Sequence, residues 1–240
     1  MRGLVTGIRD ALRSLVFPAH CAHCGVAVDE GRDFCSRCLH GIERVRSPKC
    51  EICSQPFHGM IDEVECPNCA GEAFSFDVAV CVVRSRGPVR ELLHRLKYGR
   101  EIWIARVLAG LMREGFEDRR LALREIDALV PVPLHAVRMR EREFNQAALL
   151  AAQLSKERGI PVAEVLKRGR STGTQTKLDR RRRRQNLRNA FTLKSGSKVE
   201  GMSLLLVDDV LTTGSTLDAC ASVLMEHGAS SVCALTLARG

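Results

Sequence analysis

Residues 203–217 read SLLLVDDVLTTGSTL, and this stretch decides the fold class of the chain. The apolar run at 204–207 is typical of a strand that is buried on both faces of a parallel sheet. After a pair of acids, a Thr-Thr-Gly-Ser-Thr loop leads into a helical pattern that ends at Gly228. Ligands of open α/β sheets bind at the carboxyl ends of the strands, so this loop lies where a ligand is expected.

The loop has the chemistry of a phosphate-binding site. Gly214 lets the backbone approach an anion closely, and consecutive N–H groups at a helix N-terminus supply positive potential. Hydroxyl donors surround the glycine, at Thr212, Thr213, Ser215 and Thr216. Asp208 and Asp209 add acceptors for two sugar hydroxyls, so the stretch predicts a site for a ribose 5-phosphate. The alternative is that Ser215 and Asp218 form only a helix capping box.

The segments upstream and downstream alternate between strand and helix patterns. Strands are predicted at 77–83, 127–132, near 160–166 and at 231–237, in addition to the run at 203–207. Helices are predicted at about 88–97, 101–116, 144–158 and 215–227. Residues 167–179 lack periodicity and are predicted to form a loop. Strands that alternate with helices favour an α/β fold with a parallel sheet flanked by helices.

Eight of the eleven cysteines lie between residues 21 and 69, in four C-x-x-C pairs. The pairs are Cys21/Cys24, Cys35/Cys38, Cys50/Cys53 and Cys66/Cys69. Structural zinc takes four tetrahedral ligands, usually thiolates, and two such pairs joined by a hairpin complete one site. The segment therefore predicts two structural zinc ribbons with four cysteines per zinc. Alternative ligands are His20, His23, His40 and His58, and redox-active thiols are an alternative role for the pairs.

Length and composition exclude several classes of protein. The chain has 240 residues, of which 45% are apolar and 27% charged, so it is neither disordered nor collagenous. No apolar run approaches the ~20 residues of a membrane span, and the N-terminus lacks the apolar core of a signal peptide. A cytoplasmic protein is therefore expected. Its formal charge of +9 falls to about +5 when each zinc site counts as four thiolates and one Zn²⁺.

Several motifs together resemble a known family. VDDVLTTGST resembles the 5-phosphoribosyl 1-pyrophosphate (PRPP) signature of type I phosphoribosyltransferases. The order of cysteine pairs, VPVPLH, FNQ, a Q-x-x-L loop and VDDVLTTGST resembles the ComF-type family, also called the GntX type, over essentially the whole chain. The resemblance implies a type I phosphoribosyltransferase fold with an N-terminal double zinc ribbon. The expected units are an amphipathic helix at 1–17, the double ribbon at 18–72 and the phosphoribosyltransferase domain at 73–240.

The resemblance also implies roles for residues outside the phosphate loop. The segment after VPVPLH matches the family's pyrophosphate loop, and guanidinium groups bind phosphate oxygens in bidentate fashion. Residues 168–191 match a flexible lid that closes over PRPP. The residues expected at the pyrophosphate or in the lid are Arg138, Arg140, Arg142, Lys97 and Gln175. The alternatives are a solvated helix end for the arginines and a surface position for the lysine. Glu143 stands where the family usually has glycine, and an acid is unfavourable beside pyrophosphate.

The function that the resemblance implies is the Mg²⁺-dependent transfer of a phosphoribosyl group to an unknown acceptor, linked to DNA uptake in natural transformation. Its implied partners are PRPP, single-stranded DNA and a helicase-like competence protein. The alternative is a module that senses PRPP or binds single-stranded DNA without turnover. A basic run either contacts nucleic-acid phosphates or forms a solvated face of the lid, at Arg180, Arg181, Arg182, Arg183 and Arg184. Aromatic residues are only 4% of the chain, which supplies base stacking poorly.

Overall fold

The computed structural model describes residues 19–57, 65–169 and 190–240. The expected helix at 1–17 lies outside these residues, as do His58, Gln175, the arginine run 180–184 and most of the expected lid. Within the described ranges, no helix combines the length and the apolar character needed to cross a membrane.

A parallel sheet forms the centre of the molecule. The strands of the described residues are β1 (Ala79–Arg84), β2 (Ala128–Pro131), β3 (Leu166–Arg168), β4 (Phe191–Leu193), β5 (Ser203–Leu211) and β6 (Ser231–Arg239). Four of them form one sheet in the order β1-β6-β5-β2, and each neighbouring pair is parallel. The short strands β3 and β4 pair antiparallel in a separate ladder. The predicted α/β fold with a parallel sheet is confirmed.

Helices cover both faces of this sheet. Their bounds are α1 (Ser36–His40), α2 (Gly87–Tyr98), α3 (Ile104–Met112), α4 (Arg119–Ala122), α5 (Ala136–Arg142), α6 (Gln146–Arg158) and α7 (Ser215–Glu226). Side chains of a strand alternate between the two faces, and the cores follow this alternation. Leu205 and Val207 pack with α2, α3 and α6, whereas Leu204 and Leu206 pack with α7. The two buried cores therefore share β5, which positions the loop after it.

Three segments differ from the sequence predictions. The helix predicted at 101–116 is divided into α3 and a 3₁₀ helix at Arg113–Glu117, where Gly115 packs so close to Leu235 that a Cβ atom would clash. The strand predicted near 160–166 makes one bridge to β2, at Val162, and β3 begins only at Leu166. The segment expected as a pyrophosphate loop forms the two-turn helix α5.

The segment that carries the cysteine pairs lies along the outer edge of β1. The Ala79 N–H donates to the Ile52 carbonyl at 2.7 Å, and the Cys81 N–H donates to Ser54 Oγ at 3.1 Å. Further along the strand, the Arg84 N–H donates to a carbonyl of the same segment, at Glu43, over 2.7 Å. These bonds satisfy backbone groups that an edge strand otherwise leaves open to solvent or to another chain.

Candidate functional site

Two clusters of four cysteine sulfurs form where the spacing predicted them. The clusters are Cys21, Cys24, Cys35 and Cys38, and Cys50, Cys53, Cys66 and Cys69, with all Sγ atoms of a cluster within 4.8 Å of one another. Sγ–Sγ distances of 3.7 Å join Cys24 to Cys35, Cys50 to Cys69 and Cys53 to Cys66. A tetrahedral Zn²⁺ with Zn–S bonds of ~2.3 Å places its sulfurs about 3.8 Å apart. Each cluster therefore fits one structural zinc ion.

The alternative histidine ligands do not join either cluster in the part of the chain that the structure describes. His23 instead lies between a ligand and an acid, with Nδ1 3.2 Å from Cys38 Sγ and Nε2 2.9 Å from Glu91 Oε2. An imidazole in this place orients a zinc-bound sulfur without binding the metal itself. His40 Nδ1 lies 2.7 Å from the Ser36 carbonyl oxygen.

The phosphate loop, residues 212–216, connects β5 to α7 at the carboxyl edge of the sheet. Gly214 is the N-cap of α7 with φ +84°, a left-handed conformation that favours glycine. Thr213 Oγ1 lies 2.9 Å from Ser215 Oγ, which brings two of the predicted hydroxyls together. The capping box does not form, because the cap makes no side-chain bond and Asp218 Oδ1 accepts from the Ser75 N–H at 2.8 Å. Apart from the Ser215 N–H, which donates to Thr213 Oγ1 at 3.4 Å, the N–H groups of the first helical turn lack intrahelical partners and are available to an anion.

Arg239, at the end of β6, determines which way the loop peptides face. Its Nη1 donates to the carbonyls of Leu211 at 3.0 Å and Thr212 at 2.6 Å. In a trans peptide the N–H points away from the C=O, so these bonds turn the N–H groups of Thr212 and Thr213 to the opposite side. No sequence motif predicted this role of Arg239, since a single arginine at the end of a strand is common.

The two acids lie next to this loop in different environments. Asp209 is an ion-pair partner of Lys97, with Nζ 2.5 Å from Oδ2 and side chains only 20% and 12% exposed. The two groups are not aligned as a hydrogen bond. Burial, and then the charge of Asp209, raise the pKa of Asp208 to about 7, although the Asp209 N–H donates to Asp208 Oδ1 at 2.8 Å. Lys97 thus lies at the site rather than on an unrelated surface.

The arginines after VPVPLH are divided between two environments. Arg138 and Arg140 are exposed on α5. Arg142 is buried, donates to Gln146 Oε1 at 2.9 Å and lies 5.4 Å from the ring centre of Tyr98. Burial, and then the charge of Arg138, lower the pKa of a further arginine, Arg168, whose charge also acts on Asp208. Arg168 belongs to the electrostatics of this edge, and the sequence analysis did not assign it.

Glu143 ends α5 in a left-handed conformation, with φ +67°. Its Oε1 lies 3.0 Å from Arg100 Nη1, and both side chains are more than half exposed. A left-handed helix end favours glycine, because a Cβ atom there crowds the backbone. The backbone geometry therefore explains why a glycine suits this position, and the ion pair gives Glu143 a local partner.

The single tyrosine and the single tryptophan of the chain lie on the surface near Lys97. Tyr98 is 64% exposed and Trp103 is 49% exposed. Each ring has a guanidinium over it, from Arg142 at 5.4 Å and from Arg95 at 5.7 Å. Exposed aromatic rings beside cations can stack nucleobases. Two exposed aromatic rings are therefore present despite the low aromatic content of the chain.

Comparison with known proteins gives matches in both parts of the chain. The phosphoribosyl transferase domain family matches residues 104–240, and the double zinc ribbon domain family matches residues 12–70. Competence protein F of Haemophilus influenzae is 35% identical over 228 residues, which cover 93% of this chain and 98% of that protein. DNA utilization protein YhgH of Escherichia coli strain K12 is 33% identical over 224 residues, 91% of this chain and 96% of that protein.

A shorter match is competence protein ComFC of Bacillus subtilis, 38% identical over 114 residues, 46% of this chain and 44% of that protein. The longer matches cover both the region of the cysteine clusters and the region of the sheet and its phosphate loop. Since they extend over more than nine-tenths of the sequence, the chain belongs to the ComF/GntX-type family, in which a double zinc ribbon precedes a type I phosphoribosyltransferase domain.

Proposed function

We propose that the protein binds PRPP at the carboxyl edge of β5 and transfers its phosphoribosyl group to an acceptor. One observation carries the proposal: two adjacent acids lie two residues before a glycine-centred hydroxyl loop, and side chains of the protein bind the Thr212 and Thr213 carbonyls of that loop. In the proposed complex the loop residues 212–216 bind the 5-phosphate through N–H and hydroxyl groups. Asp208 and Asp209 accept hydrogen bonds from the two ribose hydroxyls.

The other end of PRPP is assigned to basic side chains. Arg138 and Arg140 are exposed on α5 and free to extend toward pyrophosphate, whereas Arg142 supports α5 from beneath through Gln146 and Tyr98. Gln175 and the lid belong to the same proposal and lie outside the described residues. A lid that excludes water would protect the sugar cation from hydrolysis.

The proposed reaction is a substitution at the ribose C1 atom. The bond from C1 to the pyrophosphate oxygen breaks, and pyrophosphate leaves with the electron pair. A bond from C1 to the acceptor atom forms, and the acceptor gives up a proton. Magnesium suits the oxygen-rich pyrophosphate and ribose hydroxyls and would neutralise the charge of the leaving group. The protein would contribute positioning and charge stabilisation through the loop, the acids and the arginines.

The names of the relatives supply the cellular setting of the proposal. The printed names of these relatives refer to competence and to DNA utilization. We propose that the reaction serves DNA handling in the cytoplasm, with single-stranded DNA and a helicase-like competence protein as partners.

Calorimetric titration with PRPP and Mg²⁺ tests the site assignment. The Asp208→Ala/Asp209→Ala double variant is expected to lose PRPP binding while it retains two zinc ions per chain. A matched control is Asp29→Ala/Glu30→Ala, a second pair of adjacent acids that is exposed on the first ribbon. Unchanged PRPP affinity in the Asp208/Asp209 variant would show that the acids do not form the site.

A second candidate function is PRPP sensing or single-stranded DNA binding without turnover. The exposed rings of Tyr98 and Trp103 favour it, because they offer stacking surfaces beside Lys97 and two arginines. Release of pyrophosphate from PRPP, measured with a panel of nucleobases and with single-stranded DNA, separates the two functions. Release with any acceptor supports the transferase, and tight PRPP binding without release supports the sensor.

A DNA titration tests the nucleic-acid part of this second candidate. Binding of a single-stranded oligonucleotide is expected to weaken steeply with salt and to weaken further in Tyr98→Ala. Substitution of the arginine run 180–184 examines its contribution separately. An affinity that is insensitive to both changes would exclude these two surfaces.

A further inference from the structure

The second zinc ribbon touches the phosphate loop directly. Asn68 lies between the zinc ligands Cys66 and Cys69 and is only 5% exposed. Its Nδ2 donates to the Thr213 carbonyl at 3.5 Å, across 145 positions of sequence. The bond is long. Its proposed role is to orient the Thr213–Gly214 peptide. No other C-x-x-C pair of the described residues has a side-chain bond to this loop.

The Asn68 contact completes the orientation that Arg239 begins. Arg239 binds the carbonyls of Leu211 and Thr212, and Asn68 binds the next carbonyl, that of Thr213. The Gly214 N–H belongs to the same peptide as the Thr213 carbonyl and points the opposite way. Each of three consecutive peptides therefore has its carbonyl bound by a side chain and its N–H group turned away from that side chain, as an anion-binding nest requires.

Two further contacts come from the segment that follows the ribbon. A Cβ atom on Gly214 would lie 3.1 Å from Phe74 Cε1, so the Phe74 ring covers the glycine closely, and it stacks on Phe76 at 4.7 Å. The Ser75 N–H donates to Asp218 Oδ1 in the first turn of α7 at 2.8 Å. The loop and the helix start are therefore both attached to the chain that leaves Cys69.

The opposite side of the same zinc site is fixed to the rest of the molecule. Arg120 of α4 donates to the carbonyls of Cys50 and Glu51 and to Ser54 Oγ, at 3.2, 2.9 and 2.9 Å. A second anchor is the bond from Ser54 Oγ to the Ala79 carbonyl, at 2.8 Å. With one C-x-x-C pair bound to α4 and β1, the other is a firm support for the loop.

We propose that Asn68 is a positioning residue through which the second zinc ribbon sets the conformation of the phosphate loop. Asn68 acts on the Thr213–Gly214 peptide, and the class of ligand affected is a phosphate monoester. The effect on ligand affinity rests on the proposed function, whereas the effect on the loop does not.

Hydrogen exchange of the zinc-loaded protein tests the positioning role without any ligand. Asn68→Ala and the isosteric Asn68→Asp both remove the amide donor, and faster exchange is expected in peptides that cover residues 211–218 only. Ribose 5-phosphate is the binding probe, and its affinity is expected to fall about five-fold, the effect of one hydrogen bond. The matched control is Ile52→Ala, which occupies the same position in the other C-x-x-C pair of this zinc site and is 40% exposed.

Each result has a distinct meaning. Unchanged exchange at 211–218 in both Asn68 variants would overturn the proposal, as would equal loosening in Ile52→Ala. A wild-type rate in Asn68→Asp with a raised rate in Asn68→Ala would assign Asn68 a space-filling role and also overturn it. Raised exchange in both Asn68 variants supports the proposal even where the wild type binds no ribose 5-phosphate, a result that would count against the proposed function alone.

Discussion

At the scale of single residues, the adjacent carboxylates Asp208 and Asp209 differ because, among the described residues, only Asp209 has a cation at contact distance. Lys97 compensates Asp209, whereas desolvation of the Asp208 carboxyl, and then the like charge of Asp209, raise the pKa of Asp208 to about 7. Ionisation of such an acid costs free energy in the unliganded protein. A hydrogen bond from a ligand hydroxyl stabilises the ionised carboxylate and offsets this cost. The pair therefore has the properties of a site that sacrifices stability for binding.

Replacement of Asp208 by asparagine is expected to stabilise the protein at pH 8. The pKa of Asp208 rises from an ordinary value of 3.8 to about 7, so the folded state binds this proton more tightly than the unfolded state. Its contribution to stability is complete below about pH 4 and is lost as the pH rises to about 7. Urea unfolding should show an advantage of Asp208→Asn that grows across this range and is constant above it.

The same variant is expected to bind ribose 5-phosphate more weakly than the wild type, because an amide is a poorer acceptor for a hydroxyl than a carboxylate. Asp127→Asn, which changes a more exposed acid, serves as the control for the general loss of one charge. A pH-independent difference in unfolding free energy between Asp208→Asn and wild type would contradict the assigned burial of this carboxyl.

The residues that the sequence predicted well are those whose chemistry is local in sequence. The cysteine pairs are recognisable by the C-x-x-C spacing, and the loop 212–216 by its run of hydroxyl residues around a glycine. The two acids lie just before this loop in the sequence. Arg239, Arg168 and Asn68 reach the same edge only through the packing of β6, β3 and the second ribbon. No pattern around any of them predicts that contact, because a single polar residue at a strand or turn end is common.

At the scale of secondary-structure elements, α5 shows that a basic segment can form a helix and also be a candidate for binding pyrophosphate. His135 Nδ1 accepts from the Val137 N–H at 3.2 Å and starts the helix, and Glu143 ends it. The family resemblance implied a pyrophosphate loop here rather than a helix. One buried side chain, Arg142, anchors the helix through Gln146. The ends of α2 and α6 were predicted to within two residues.

Glu143→Gly is expected to strengthen both the end of α5 and the binding of pyrophosphate. Glycine removes the cost of the left-handed conformation, about 1 kcal/mol, and the Arg100 ion pair that is lost is exposed and contributes little. Removal of the acid also lowers the repulsion of a nearby anion. Urea unfolding and a pyrophosphate titration measure the two effects.

Glu143→Gln separates the causes, because it removes the charge and keeps the left-handed side chain. Its pyrophosphate affinity should match that of Glu143→Gly, and its stability should not rise. Equal stability of the glycine variant and the wild type would mean that the φ of +67° carries no measurable cost.

At the scale of the whole molecule, the double ribbon is a structural edge of the sheet as well as a metal module. It pairs with β1 through Ile52, Ser54 and Glu43, and Arg120 fastens it to α4. Burial alone would raise the pKa of Asp118, but Arg120 and Lys49 donate to it and hold its pKa well below the ordinary value. The sequence predicted both modules and the order in which they occur. It could not predict that the double ribbon covers the β1 edge of the sheet. Backbone hydrogen bonds to an edge strand do not require particular residue types, so they leave no pattern in the sequence.

Loss of the second zinc ion is therefore expected to damage the sheet, and loss of the first much less. Cys69→Ser removes a ligand of the ribbon that pairs with β1, whereas Cys24→Ser removes an exposed ligand of the first ribbon. Metal analysis should give one zinc per chain for each variant.

With the second zinc absent, Ile52 and Ser54 no longer hold their positions, and the N–H groups of Ala79 and Cys81 are free to pair with another chain. Cys69→Ser should lower the Tm by about 10 °C and increase light scattering on warming, more than Cys24→Ser does. Equal losses in the two variants would mean that the packing of the first ribbon, whose Cys21 and Cys38 lie in the main core, contributes as much as the β1 edge.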